Sequence, residues 1–224
     1  MTSAAQTARP PFDDAAAWHA LSSLRGPYLP WSTGAMRPAG LVTVLNEVWF
    51  GCPELIVELG SGVSTVVLAR LLRELGTGRM LAVEHDEAWA ARVVRQLARE
   101  DLAEFARVVR APLRPSERAW ESCEWYDEDA LLTAIDASPT GAPPIDVLVV
   151  DGPPAWQPSA EHARYPALGA LGTRLALGAR IVLDDVERAG EQAVLVRWQR
   201  EHGLTFDVRP GTGVAIARWP GVRA

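Results

Sequence analysis

Apolar positions along this chain fall into two alternating kinds of block. Short unbroken runs end at glycine or at an acid: ELIVELG (54–60), RMLAVEHD (79–86), FARVVRAPL (105–113), IDVLVVDGPP (145–154) and ARIVLDD (179–185). Runs of that length and composition predict strands buried on both faces. Between them, apolar residues recur at helical spacing over 64–75, 86–100, 127–137, 163–178 and 187–203. Gly76 is a natural stop for the first helix, Asp86 a natural N-cap for the second, and Pro166 sits where a first helical turn tolerates it. The last segment, LTFDVRPGTGVAIARWP (204–220), has two runs flanking PGTG and predicts an antiparallel hairpin. Strands alternating with helices imply a doubly wound α/β fold with a mostly parallel sheet. Residues 1–53 are expected to form an arm and a helical cap over the carboxyl end of the sheet, and 54–224 a single globular unit.

Composition narrows the function classes. The chain has 224 residues, 48% of them hydrophobic, enough for one domain with a buried core. Its net charge of -6 argues against a nucleic-acid partner. All 22 basic residues are arginine, so no lysine is present to serve as general base or phosphate clamp. Cys52 and Cys123 form no CxxC, and neither a zinc site nor a disulfide framework is expected. No apolar run is long enough to span a membrane, and the N-terminus has no apolar leader; the expected location is cytoplasmic.

The turn after the first strand reads ELGSGVST, residues 58–65. Gly60 and Gly62 permit a tight bend and close approach of a ligand to the backbone, although a GxG also fits a plain strand-to-helix turn. Glu58 ends the first strand, and Glu84 ends the second, where an acid can accept hydrogen bonds from both hydroxyls of a ribose. A dinucleotide fingerprint wants a third glycine, and Thr65 stands in its place. The ExGxGxS pattern followed by VEHD resembles motif I and the acidic second-strand motif of class I S-adenosylmethionine (SAM)-dependent methyltransferases. The resemblance covers roughly residues 54–220 and implies a Rossmann-like, seven-stranded sheet with helices on both faces and a C-terminal antiparallel hairpin. It further implies that Gly60, Ser61, Gly62 and Ser64 line the cofactor, that Glu58 lies near its amino group, and that Glu84 holds its ribose. His85 would lie beside Glu84, or be a plain strand-end residue. Ala111 and Pro112 would meet the adenine edge. Ahead of the first strand, Ser32, Thr33 and Met36 are candidates for the methionine end and Arg37 for a carboxylate, unless 28–41 is only a packing loop.

Ligands of such sheets bind at the carboxyl ends of the strands. Asp151 ends the fourth strand, and Asp184 and Asp185 end the fifth, its expected neighbour. Three converging carboxylates repel one another, and a hard divalent cation resolves the conflict. A competing account makes Asp184 the N-cap of a D-x-x-E box with Glu187 and Asp151 a turn residue. The Asp plus Asp-Asp pattern resembles the Mg²⁺ site of catechol-type and sugar O-methyltransferases. That family's base after the fourth strand is a lysine. Here the loop offers His162, equally readable as a solvent-facing residue, with Arg164 and Tyr165 beside it for substrate oxygens. Asp151, Asp185 and His162 are therefore the candidate catalytic residues. Nine tryptophans are present, and Trp31, Trp120, Trp125 and Trp156 fall in loops as candidate walls for a sugar or aromatic acceptor.

The sequence thus points to a SAM-dependent methyltransferase acting on a hydroxyl of a small molecule, assisted by Mg²⁺ or a similar ion. Its expected partners are that acceptor and at most a second copy in a homodimer, with neither nucleic acid nor membrane. Competing readings are a metal-independent N- or O-methyltransferase, a non-catalytic SAM-binding protein, and an NAD-dependent oxidoreductase.

Overall fold

The computed structural model describes residues 13–26, 28–121, 123–137 and 143–221. Helices α1 (Asp14–Ala20) and α2 (Pro38–Gly51) lead into β1 (Leu55–Leu59), α3 (Val63–Leu75), β2 (Arg79–Glu84), α4 (Glu87–Arg99) and β3 (Ala106–Arg110). A short ribbon of β4 (Leu113–Pro115) and β5 (Glu124–Tyr126) follows, then α5 (Glu128–Asp136), β6 (Ile145–Val150), α6 (Pro166–Leu171) and β7 (Leu175–Leu183). The chain closes through α7 (Ala189–His202), β8 (Asp207–Val208) and β9 (Ala215–Arg218). Asp86 caps α4 as expected, accepting from the Trp89 amide at 2.7 Å, and Gly76 ends α3 in the left-handed conformation.

Seven strands make one sheet in the order β3-β2-β1-β6-β7-β9-β8. The first five run parallel, and β9 pairs antiparallel with both β7 and β8. The chain winds outward from β1 to β3, then crosses back to β6 on the other side of β1. That reversal is the switch point at which such sheets open a ligand crevice.

Register brings the strand ends level. Leu59 pairs with both Val83 and Val150, and Val150 pairs with Leu183. The ladder runs one residue further: Asp151 donates its amide to the Leu59 carbonyl at 2.9 Å, and Asp184 to that of Val150 at 3.1 Å. Gly60, Glu84, Asp151 and Asp184 therefore lie in one row across four strands.

Side-chain alternation along the strands divides the core in two. Val57 and Leu59 join Trp125, Leu171, Trp198 and the faces of α5 to α7, whereas Ile56, Val147 and Val149 pack against α2 and α3. Helix α2 lies along the second face instead of only over the carboxyl end. Its Gly40 abuts Thr212 and Val214, and its Glu47 pairs with Arg180 in the middle of β7. Arg70, on α3 and 3% exposed, is the anchor of the preceding segment. Its guanidinium donates to the carbonyls of Leu24, Arg25 and Tyr28 and pairs with Glu100 at 2.6 Å. A Cβ at Gly26, whose φ is +59°, would strike that guanidinium.

Two expectations are corrected. The helix over 163–178 stops at Leu171, and β7 already begins at Leu175, because Leu175 crosses to Ile145. Residues 113–126 are not all loop, since β4 and β5 pair antiparallel there. Among the described residues, no helix is long and apolar enough to cross a membrane.

Candidate active site

The turn after β1 is built around one buried acid. Glu58 is fully buried and takes the Thr65 hydroxyl on Oε2 at 2.5 Å. That same hydroxyl accepts the Gly62 amide at 2.9 Å, so Thr65 fastens the glycine turn to the strand. Oε1 of Glu58 has no hydrogen-bond partner. Burial pushes the Glu58 carboxyl up to about 7, against the pull of the Ser64 and Thr65 hydroxyls, with Glu84 adding repulsion. A buried, unpartnered carboxylate oxygen suits a cationic ligand group. Gly60 adopts φ +92°, and a Cβ there would press on the Asp151 carbonyl at 3.2 Å.

Glu84 is also buried, but fully partnered. Its Oε2 accepts the amide and hydroxyl of Ser61 at 3.1 and 2.9 Å, and Oε1 accepts the amides of His85 and Asp86 at 2.9 and 3.0 Å. His85 Nδ1 lies 2.9 Å from the same Oε1. Burial works against ionisation, but these bonds outweigh it and hold the carboxyl below the usual range. The hydrogen bond to Glu84 raises the His85 pKa in turn, against burial. Trp89 donates its indole N–H to the Ser61 carbonyl at 2.7 Å and steadies the turn. Neither Thr65 nor Trp89 was among the candidates; only their positions three and twenty-eight residues from the glycine turn distinguish them, and the contacts are tertiary.

Across the switch point, ligand atoms of Asp151, Asp184 and Asp185 lie within 4.8 Å of one another, the one such acid, histidine and cysteine cluster among the described residues. Asp185 has φ +59°, a conformation aspartate tolerates better than most side chains. Burial, then repulsion from neighbouring acids, raises the pKa of Asp151 and Asp184, with Arg164 opposing. The capping account of Asp184 is overturned: the N-cap of α7 is Arg188, without a side-chain cap, and Glu187 instead pairs with Arg37 at 3.0 Å.

Arg164 is the chief surprise. Expected at the substrate, it is 3% exposed and inserted into the acid cluster. One terminal nitrogen donates to the Asp184 carbonyl at 3.0 Å; the other reaches the Asp151 carbonyl at 3.1 Å and Asp185 Oδ2 at 2.8 Å. Tyr165, next in sequence, turns away and gives its hydroxyl to Glu201 at 2.8 Å. Trp125 is wholly buried in the core against Tyr126 and so is no pocket wall. Met36 packs beneath α2 and Ala111 within the core, so neither offers an open surface. Arg37 is engaged by Asp14 and Glu187, each at 3.0 Å. Thr33 and Trp156 are exposed. His162 stacks on Trp120 with ring centroids 3.8 Å apart, and its Nδ1 is 3.2 Å from Glu121.

Residues 57–186 match the family model for a methyltransferase domain. No curated relative is matched at the level of sequence. Similar solved structures include the O-methyltransferase TomG from Streptomyces achromogenes, involved in tomaymycin synthesis, in complex with SAM. It is 20% identical with a TM-score of 0.56, over 93% of this chain and 89% of its own. The SAH-bound methyltransferase PaMTH1 of Podospora anserina is 13% identical with a TM-score of 0.61, over 92% and 87%. An O-methyltransferase from Bacillus cereus in complex with SAH is 16% identical with a TM-score of 0.56, over 96% and 93%.

Proposed function

Because this chain belongs to the methyltransferase-domain family and has the class I SAM-dependent fold, we propose that it methylates a hydroxyl oxygen of a small molecule with the help of a divalent cation. The observation that carries the metal reading is the convergence of Asp151, Asp184 and Asp185 beside the glycine turn. Their donor set is all oxygen, as Mg²⁺ requires, and the Arg164 guanidinium does not offset the burial and mutual repulsion that raise the pKa of Asp151 and Asp184. When bound, the ion supplies Lewis-acid stabilisation of the acceptor oxygen.

The chain's own residues supply the rest. The unpartnered oxygen of Glu58 receives the ammonium of SAM, and the peptide groups of Gly60, Ser61 and Gly62 frame its body. Glu84 takes the ribose diol. The Ser61 hydroxyl, the least constrained of its present donors, yields a place there. The acceptor loses its hydroxyl proton, its oxygen bonds to the methyl carbon, and the carbon–sulfur bond breaks to release the demethylated cofactor. Catalysis is mostly alignment of oxygen, carbon and sulfur. His162 is the candidate base. Glu121 at Nδ1 favours the tautomer that leaves Nε2 free to accept.

A metal-independent reading draws on two observations: Arg164 already places a positive charge 2.8 Å from Asp185, and the raised pKa of Asp151 suits a base. The deciding experiment is methyl transfer from labelled SAM to a panel of hydroxylated acceptors. Loss of transfer in EDTA, restored by Mg²⁺, is the expected result. Full activity in EDTA on an identified acceptor would select the metal-free route.

A further inference from the structure

The acid cluster explains three carboxylates and leaves Arg164 and Glu191 without a task. We propose that Arg164 is a positioning residue that serves as the cluster's resident cation: it ties the ends of β6 and β7 together and competes with a bound ion for the same carboxylates. This rests on the reading that the cluster takes a divalent cation.

The contacts are of two kinds. Those to the Asp151 and Asp184 carbonyls, with a longer one to the Pro153 carbonyl at 3.4 Å, hold backbone regardless of ionisation. Those to Asp185 Oδ2 at 2.8 Å and Asp151 Oδ1 at 3.4 Å engage candidate ligand side chains. Behind the guanidinium lies Glu191, 1% exposed, in the first turn of α7. Its Oε1 is 3.5 Å from Arg164, and neither of its oxygens has a hydrogen-bond partner. Its role is electrostatic: it draws the guanidinium backward and dilutes its charge toward the front. Arg188 touches Asp185 at 2.8 Å and Glu191 at 3.6 Å, but sits at the rim, 39% exposed, and bridges no strands.

Arginine does not deprotonate in proteins, so this competition is permanent. A fork of donors spanning two strand ends also cannot be copied by the point charge of lysine. Charge and clamp are therefore separable by substitution.

Mn²⁺ alone, titrated into the metal-free full-length protein by calorimetry, tests the proposal. Arg164→Gln removes the competing charge and is expected to bind Mn²⁺ about tenfold more tightly than wild type. Arg164→Lys keeps the charge and loses the clamp, so its affinity stays within about threefold while its melting temperature falls. Arg188→Gln, being screened, shifts affinity by less than about threefold. A purely structural arginine would give weaker or unchanged Mn²⁺ binding in a folded Arg164→Gln protein, and that result overturns the proposal. If Arg164→Gln does not fold, Glu191→Gln replaces it. Its expected effect is weaker Mn²⁺ binding, and unchanged affinity overturns the idea. If the wild type binds no Mn²⁺, the metal reading fails by itself. Binding gained in Arg164→Gln would then still identify Arg164 as the resident cation, and absence in both proteins would overturn that too.

Discussion

Glu58→Gln should stabilise the protein in alkaline solution while weakening its hold on SAM. The folded-state pKa of Glu58 is raised by burial from 4.5 to about 7. Between those values the folded chain binds more protons at this site than the unfolded chain, so stability falls as pH rises through the window. That rise in pKa corresponds to roughly 3 kcal/mol of penalty above pH 7. Glutamine keeps an acceptor for the Thr65 hydroxyl and never ionises. The two proteins should therefore be equally stable to within about 1 kcal/mol at pH 5, where both side chains are neutral in the folded state. Their difference should grow by about 3 kcal/mol in favour of the variant by pH 8.5. Urea unfolding of the cofactor-free proteins, followed by tryptophan fluorescence across that range, measures it, since every other titrating group cancels in the difference. A flat difference would refute the reasoning, because Glu58 would then be hydrated or paired in a way the structure does not contain. Calorimetry at pH 8 should show the other side: a loss of SAM affinity from the missing charge.

Three other expectations follow from single contacts. Arg70→Met abandons three carbonyls and Glu100 and should cost about 3–5 kcal/mol. Glu100, held below the usual range by Arg70 and Gln96 against its burial, contributes stability above the unfolded carboxylate pKa that is lost as pH falls. Acid unfolding should therefore be less steep in the variant, and an unchanged acid limb would contradict this. Glu84→Ala should lower SAM affinity by about 1.5–3 kcal/mol in a folded protein, as read by calorimetry; full affinity would mean the ribose is held elsewhere. Trp125→Ala should lower stability by about 3–5 kcal/mol and leave the acceptor KM unchanged, while the opposite pattern would return Trp125 to the pocket wall.

Much of the framework was legible because buried parallel strands write themselves as unbroken apolar runs. Glu84, Asp151 and Asp184 could be located simply as the acids that end such runs, and the register sets these three level, while Glu58 sits inside β1 opposite Ala82 and Val149. The start of β7 was not legible. GTRLALG reads as a helical tail, yet it opens β7; Leu175 is buried and Leu177, two residues on, is 82% exposed, because the pairing with β6 shifts register between Leu175 and Arg180 and no period of two registers. The ribbon carrying Trp125 failed for the same reason: a three-residue strand has no period. Arg164 was misplaced because arginine in a polar loop is ordinarily solvated. Its burial depends on acceptors from two strands twenty and thirteen residues away, which no local pattern encodes.

The contact between the β1 and β6 turns constrains how this protein could diversify. A Cβ at Gly152 would collide with the Tyr126 hydroxyl and come within 3.0 Å of Gly60. Three segments, the cofactor turn, the acid-bearing turn and the β4–β5 ribbon, thus meet with no space between them. A change at any of the three would demand accommodation by the other two, so they should be inherited as a block. New acceptor preferences would then arise in segments outside that junction, such as 28–37 and 154–160, where Trp31 and Trp156 already stand in solvent. A library randomised over those two stretches should retain folded, SAM-binding members far more often than one randomised over 60, 126 and 152.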